Sequence, residues 1–165
     1  ILRIPGLAEC GFMTAQELLD GKRSAGRKAL VVGGMVGCEA AEFLAERGHE
    51  VSVIEMKDVI AADVTPESRR YMFEAFCEHN VGLYPGAKVG QFYTDGVDYT
   101  LADGTPDSLR GFDSIVLAMG SRANAALKET AEAVCTQVLV IGEAAKAPGN
   151  AVTATTDALH AALQV

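Results

Sequence analysis

Three glycines, Gly33, Gly34 and Gly37, followed some distance later by a single acid, Glu55, are the residues of this chain best suited to chemistry. Glycines so close together let backbone N–H groups meet an anion, and a helix opening behind them adds its positive dipole end. A carboxylate about 20 residues further on can accept both hydroxyls of an adenosine ribose. A dinucleotide satisfies both features, with its pyrophosphate on the turn and its ribose on Glu55. The plain alternative for Glu55 is a solvated strand end. A carboxylate at this place also repels a 2′-phosphate, which favours NAD(H) over NADP(H), although Lys57 close by keeps the second cofactor open.

The elements that must position these residues lie in KALVVGGMVGCEAAEFLAERGHEVSVIEM, Lys28 to Met56. An apolar run (Ala29 to Val32) reads as a strand, the glycines as a turn, the next stretch as a helix, and Val51 to Ile54 as a second strand. Val36, Ala40, Phe43 and Leu44 recur at helical spacing and are predicted to pack on the sheet, with Glu42, Glu46 and Arg47 in water. Gly48 is the stop signal. A strict G-x-G-x-x-G ending at Gly37 requires a glycine at position 32, which is Val32. Gly33 is therefore expected to make the tight turn in a loop one residue shorter.

The run VVGGMVGCEAAEFLAERGHEVSVIEM is similar to the NAD(P)H-binding domain of flavin- and iron–sulfur-dependent oxidoreductases related to old yellow enzyme. These are the NADH:flavin oxidoreductases, 2-enoate reductases and 2,4-dienoyl-CoA reductases. Members usually carry three consecutive glycines where this chain has Gly33 and Gly34. The resemblance extends almost end to end. IPGL (Ile4 to Leu7) resembles the linker leaving the flavin domain, and Thr14 to Lys22 the short helix before the nucleotide domain. VLAMGSRAN (Val116 to Asn124) resembles the strand and glycine turn beside the nicotinamide, and VLVIGEA (Val138 to Ala144) the returning FAD-domain strand. DALH (Asp157 to His160) also fits.

The resemblance implies a set of cofactor-binding residues: Gly33, Gly34, Met35, Val36, Gly37, Glu39, Glu55, Met56, Ala118, Gly120, Gly142 and Glu143. Glu39 matches a glutamate that approaches the nicotinamide carboxamide, yet by periodicity it shares a solvated face with Glu42 and Glu46. Gly120 is equally an ordinary strand-terminating glycine. Glu143 stands where the family has an aspartate on the FAD ribityl chain, and it could touch FAD only if the upstream half of that domain were present. No residue is assigned a catalytic role and none a metal.

Composition narrows the alternatives. A chain of 165 residues with 49% hydrophobic content can bury one sizeable core. A net charge of −8 and a pI near 4.8 argue against nucleic acid. No apolar run approaches the roughly 18–20 residues of a membrane span, and no signal-peptide pattern opens the chain, so a cytoplasmic location is expected. Cys10, Cys38, Cys77 and Cys135 form no C-x-x-C pair and lack zinc or iron–sulfur spacing. Cys38 is read as small-residue packing, with a thiolate favoured by the helix N-terminus as the alternative. His49, His79 and His160 have no partners at ligand spacing.

The remaining elements follow from local signals. Thr14 and Glu17 have capping-box spacing ahead of a helix that reaches about Asp20, stopped by Gly21. Thr65-Pro66 opens a helix to about His79 whose buried face is Met72, Ala75 and Phe76, with Tyr71 and Phe73 as rim packing. Asp95-Gly96 is predicted as a hairpin turn between Val89 to Thr94 and Val97 to Leu101, and Asp103-Gly104 as a second reversal. A strand at Ser114 to Ala118 follows, then a helix-prone 123–136, a strand at Gln137 to Ile141, and a helix from about Val152 with Leu159, Ala162 and Leu163 on one face.

The expected fold is α/β: a Rossmann-like, three-layer NAD(P)-binding domain with a parallel sheet and an inserted β-meander. Residues 1–26 are expected to be a linker and short helix leaving a flavin domain, 27–125 the NAD(H)-binding domain, and 126–165 the returning segment of the FAD domain. The chain, starting at Ile1 and ending at Val165, is expected to be a piece of a larger protein whose FAD and barrel domains are its partners. In the intact enzyme the resemblance implies hydride transfer from NADH to FAD, with an iron–sulfur cluster passing electrons to FMN. The competing expectation is a vestigial domain, structural or holding an adenine nucleotide without a redox role. A methyltransferase, which also sets an acid on a nucleoside ribose, is a third, and the hairpins before the last strand argue against it.

Overall fold

The computed structural model describes residues 3–164 and divides into two compact units, Ile1–Met119 and Gly120–Val165. In the first, a parallel sheet has the order β1 (Met13–Thr14), β8 (Ser114–Ala118), β2 (Lys28–Gly33), β3 (Glu50–Ile54), β4 (Gly82–Tyr84). The antiparallel strands β5 (Ala87–Tyr93), β6 (Gly96–Leu101) and β7 (Pro106–Leu109) form a separate three-stranded sheet. The fold is Rossmann-like, and the strand order reverses between β2 and β8.

Strand alternation builds three layers. Ala29 and Val31 of β2 join Val53, Val116 and the helices α2 (Met35–Ala45) and α3 (Pro66–Glu78) in one core. Leu30 and Val32, pointing the other way, join Ile54, Ile115, Phe92 and Val97 under the antiparallel sheet. Because β2 is buried on both faces, it reads as a continuous apolar run. The lead-in belongs to this unit: Leu7 and Cys10 lie in the second core, and β1 pairs with β8 ahead of α1 (Ala15–Leu19).

The capping expectations hold. The Thr14 hydroxyl accepts from the Glu17 N–H at 3.1 Å while the Glu17 carboxylate accepts from the Thr14 N–H at 2.8 Å. Thr65 caps α3 through the Ser68 N–H, and Pro66 is the first helical residue. Other details differ from expectation. The α2 face is rotated: Cys38, Ala41 and Ala45 are buried with Ala40 and Leu44, while Val36 is exposed and Phe43 is half-buried under the Arg47 guanidinium. Small residues line this face because the helix sits close to the strands. On α3, Ala75 is only half-buried beside Met72 and Phe76.

The first hairpin turns one residue early. Tyr93 pairs with Gly96, so Thr94 and Asp95 form the loop and Gly96 is already in β6. Its glycine is required by packing: a Cβ there would lie 1.9 Å from the Leu109 carbonyl oxygen of β7. The reversal at Asp103-Gly104 is as expected, with Gly104 at φ +86° and its N–H donating to the Leu101 carbonyl.

In the second unit the described residues form α4 (Lys128–Glu132), a 3-10 turn at Gly142–Ala144 and α5 (Ala151–Ala162), and 137–141 is no strand. A strand exists through its ladder, and none of the strands among the described residues takes this segment as partner. On α5 the half-buried face is Ala154, Asp157, Ala158 and Ala161, while Leu159 and Leu163 are exposed. Small residues meet the 3-10 turn Gly142–Ala144: a Cβ at Gly142 would sit 3.3 Å from the Ala154 Cβ.

Gly96→Ala is expected to lower stability by about 2–3 kcal/mol, because backbone must move. Gly90→Ala, whose nearest contact would be 4.0 Å away, should stay within about 0.5 kcal/mol. Urea denaturation of both variants separates a packing role for Gly96 from a general intolerance of the meander.

Candidate functional site

The carboxyl ends of β2 and β8 lie in register, Gly33 opposite Ala118. Gly33 has φ +130°, and a Cβ on it would sit 2.2 Å from the Ala118 carbonyl oxygen. It therefore makes the tight turn expected of a first glycine. Val32 remains in the strand with its side chain in the core under the antiparallel sheet. Only Gly34 separates β2 from α2. At Gly37 an added Cβ would lie 3.3 Å from both the Ala118 Cβ and Val31 Cγ1, so this glycine lets the helix close on the sheet. Gly33, Gly34 and Gly37 thus divide the roles of turn, exposed backbone and helix packing.

Helix α2 begins with no side-chain cap and no acid in its first turn, so its leading N–H groups are left without a side-chain cap. Met35 and Val36, both partly exposed, flank that opening. Glu55, at the end of β3, is 6% exposed. One carboxylate oxygen accepts from the Lys57 N–H at 2.9 Å, and the other lies 3.2 Å from where a Gly34 Cβ would be. The acid is thus held directly beside the glycine turn. A side chain at position 34 would displace it.

The chain leaving Glu55 is also held. Met56 is exposed, but Ile60 and Ala61 are buried, and the Arg69 Nε donates to the Ile60 carbonyl at 3.1 Å. Ala61 has φ +54°, a left-handed conformation costing about 1–2 kcal/mol for a residue with a Cβ. This anchored loop returns Asp63 to 2.8 Å from the Lys57 Nζ. Asp63 was not legible as the partner of Lys57, since only an acid six residues after Lys57 and just ahead of the Thr65-Pro66 helix start signals it.

Glu39 is exposed along a groove of about 530 Å³ between α2 and α3 that also takes in Met35, Glu42, Asp63 and Tyr71. Burial, with Glu46 and Glu39 adding to it, raises the Glu42 carboxyl above its ordinary range. Ala118 stays in the first unit opposite Gly33. Gly120, Gly142 and Glu143 belong to the second unit, where Gly120 has φ +84° and a Cβ added to it would meet nothing within 4 Å. There the Glu143 carboxylate accepts from the Ser121 hydroxyl at 3.0 Å and the Gly149 N–H at 2.8 Å, and Asp157 accepts from the Gly142 N–H at 3.1 Å.

Cys38 is fully buried. Burial pushes its thiol up to about 11, with the Glu55 and Glu39 charges adding to the effect. Desolvation thus favours the neutral thiol, and the packing reading of this cysteine stands. Among the described residues no group of three or more His, Cys, Asp or Glu could hold a metal, and no helix is long and apolar enough to cross a membrane.

Comparison with known proteins agrees with this geometry. The family described as pyridine nucleotide-disulphide oxidoreductase matches residues 1–158. An NADH oxidase of Thermoanaerobacter brockii is 37% identical over 134 residues, covering 79% of this chain and 20% of the oxidase. A bilirubin reductase of Mediterraneibacter gnavus (strain CC55_001C) is 36% identical over 118 residues, covering 72% of this chain and 18% of the reductase. A 2-naphthoyl-CoA reductase in complex with 2-naphthoyl-CoA superposes with a TM-score of 0.80 at 27% identity, over 95% of this chain and 24% of that one. The chain therefore spans about a fifth of the length of these two curated relatives.

At pH 8 a thiol reagent is expected to label exposed Cys77 and Cys135 in the folded protein, and Cys38 only after unfolding. Between 9.0 and about 11 the unfolded chain gives up the Cys38 proton while the folded chain keeps it. That contribution to stability is complete below pH 9 and is lost as pH rises through 11. Cys38→Ala should flatten this alkaline decline, measured by urea denaturation at each pH.

Proposed function

This chain belongs to the pyridine nucleotide-disulphide oxidoreductase family, and from that premise we propose that it is the NAD(H)-binding portion of a flavin-dependent oxidoreductase. The observation that carries the proposal is the buried Glu55 carboxylate held against Gly34 beside the uncapped start of α2. A ribose acceptor and an anion-binding helix end are adjacent, which is what the adenosine diphosphate half of NAD(H) requires.

In the reading proposed, the N–H groups at the start of α2 bind the pyrophosphate and Glu55 accepts the ribose hydroxyls. Gly33 and Gly37 keep the crevice narrow, and Ala118 borders the nicotinamide half; Gly120 is assigned to the cofactor by resemblance alone. Met35, Val36 and Met56 cover apolar parts of the cofactor, and Glu39 approaches the carboxamide. NADH, when bound, supplies a hydride, and the redox chemistry is the cofactor's own. This chain contributes binding, orientation and exclusion of water. Gly142 and Glu143 are assigned to FAD only together with the remainder of its domain. The similarity to an NADH oxidase and to a 2-naphthoyl-CoA reductase supports an intact enzyme of the old yellow enzyme-related group, with FAD, FMN and an iron–sulfur cluster in its other domains. The four unpaired cysteines suit a cytoplasmic location.

Calorimetric titration tests the proposal. The parent chain is expected to bind NADH more tightly than ADP. Glu55→Ala should weaken NADH at least about tenfold, through loss of charge-assisted hydrogen bonds of roughly 1.5–3 kcal/mol. Insertion of a glycine before Gly33 should not improve binding. Equal affinity for ADP and NADH, or binding by the insertion variant alone, would instead assign the domain a nucleotide-holding or structural role without redox function.

A further inference from the structure

The charge next to Glu55 depends on where Lys57 is held. Its backbone N–H donates to Glu55 Oε1, so the lysine side chain starts at the atom adjacent to the ribose acceptor. A four-carbon stem would let its ammonium swing toward a substituent at the ribose 2′ position. It is instead tied to Asp63 at 2.8 Å, and Asp63 is presented by the loop that Ile60, Ala61 and Arg69 anchor. Asp58, the other acid of this loop, lies near Gly86, where an added Cβ would be 3.3 Å from its Oδ1.

We propose that Asp63 is a positioning residue for cofactor selectivity: by holding Lys57 it leaves the Glu55 charge unopposed, so that the site takes a 2′-hydroxyl and rejects a 2′-phosphate. The proposal rests on the NAD(H) reading above. With Lys57 and Asp63 cancelling each other, the net charge beside the ribose position is that of Glu55. Removing the Asp63 charge leaves Lys57 free to pair with a 2′-phosphate. The Lys57–Asp63 pair is solvent-exposed, with side chains 53% and 65% accessible, so the effect is moderate.

Binding of AMP and of adenosine 2′,5′-bisphosphate to the full chain tests this, because the two probes differ only in the 2′-phosphate. The parent is expected to prefer AMP. Asp63→Asn should raise affinity for the bisphosphate about three- to fivefold, leave AMP unchanged, and lose the gain as salt is raised, since an exposed charge contact is screened. Asp63→Glu should restore the parent preference. In a Lys57→Gln background Asp63→Asn should have no such effect. Unchanged bisphosphate affinity in Asp63→Asn, or an equal rise without Lys57, overturns the proposal while AMP binding still supports the nucleotide site. Failure of the parent to bind AMP overturns the nucleotide reading itself, and this proposal with it.

Discussion

The approach of Gly33 to the Ala118 carbonyl is the constraint on which the rest of the structure depends. Strands β2 and β8 run side by side in register until their carboxyl ends, and there the chain must leave β2 at once to enter α2. A space that would leave a Cβ 2.2 Å from a carbonyl oxygen admits only glycine. That restriction aims the first turn of α2 across the crevice at the strand-order reversal, where open α/β sheets bind ligands. Gly37 continues the same logic one turn later, and the small residues Cys38, Ala41 and Ala45 extend it along the helix.

Electrostatics then tunes the crevice. Glu55 is the one buried acid among the described residues, and its carboxylate accepts from the Lys57 N–H. An anion kept in place by a single amide retains acceptor capacity for hydroxyl donors. The same negative charge, together with burial, keeps the neighbouring Cys38 thiol protonated. The loop from Met56 to Val64 gives this arrangement its shape through the left-handed Ala61 and the Arg69 contact to Ile60.

The antiparallel sheet contributes to the site from behind. It covers the face of β2 and β8 opposite the helices, so that Leu30, Val32, Ile115 and Leu117 are buried and the strands cannot shift register without exposing them. Its own packing is tight, since β7 crosses Gly96 with no room for a side chain. Arg110 fastens the far end by donating to the Val97 carbonyl and stacking on Tyr93.

Several local signals by themselves determined the outcome. The β-turn-α-β unit, the Thr14 and Thr65 caps and the strand Ser114–Ala118 follow from contacts within a few residues or from strict periodicity. Only the tertiary structure decided the rest. Val32 as a core residue, the rotated face of α2, Gly96 as a packing glycine and Asp63 as the partner of Lys57 depend on strands and loops distant in sequence. Residues 137–141 show the same rule from the other side. Their composition favours a strand, yet a strand requires a neighbouring backbone to complete its hydrogen bonds, and no strand among the described residues supplies one.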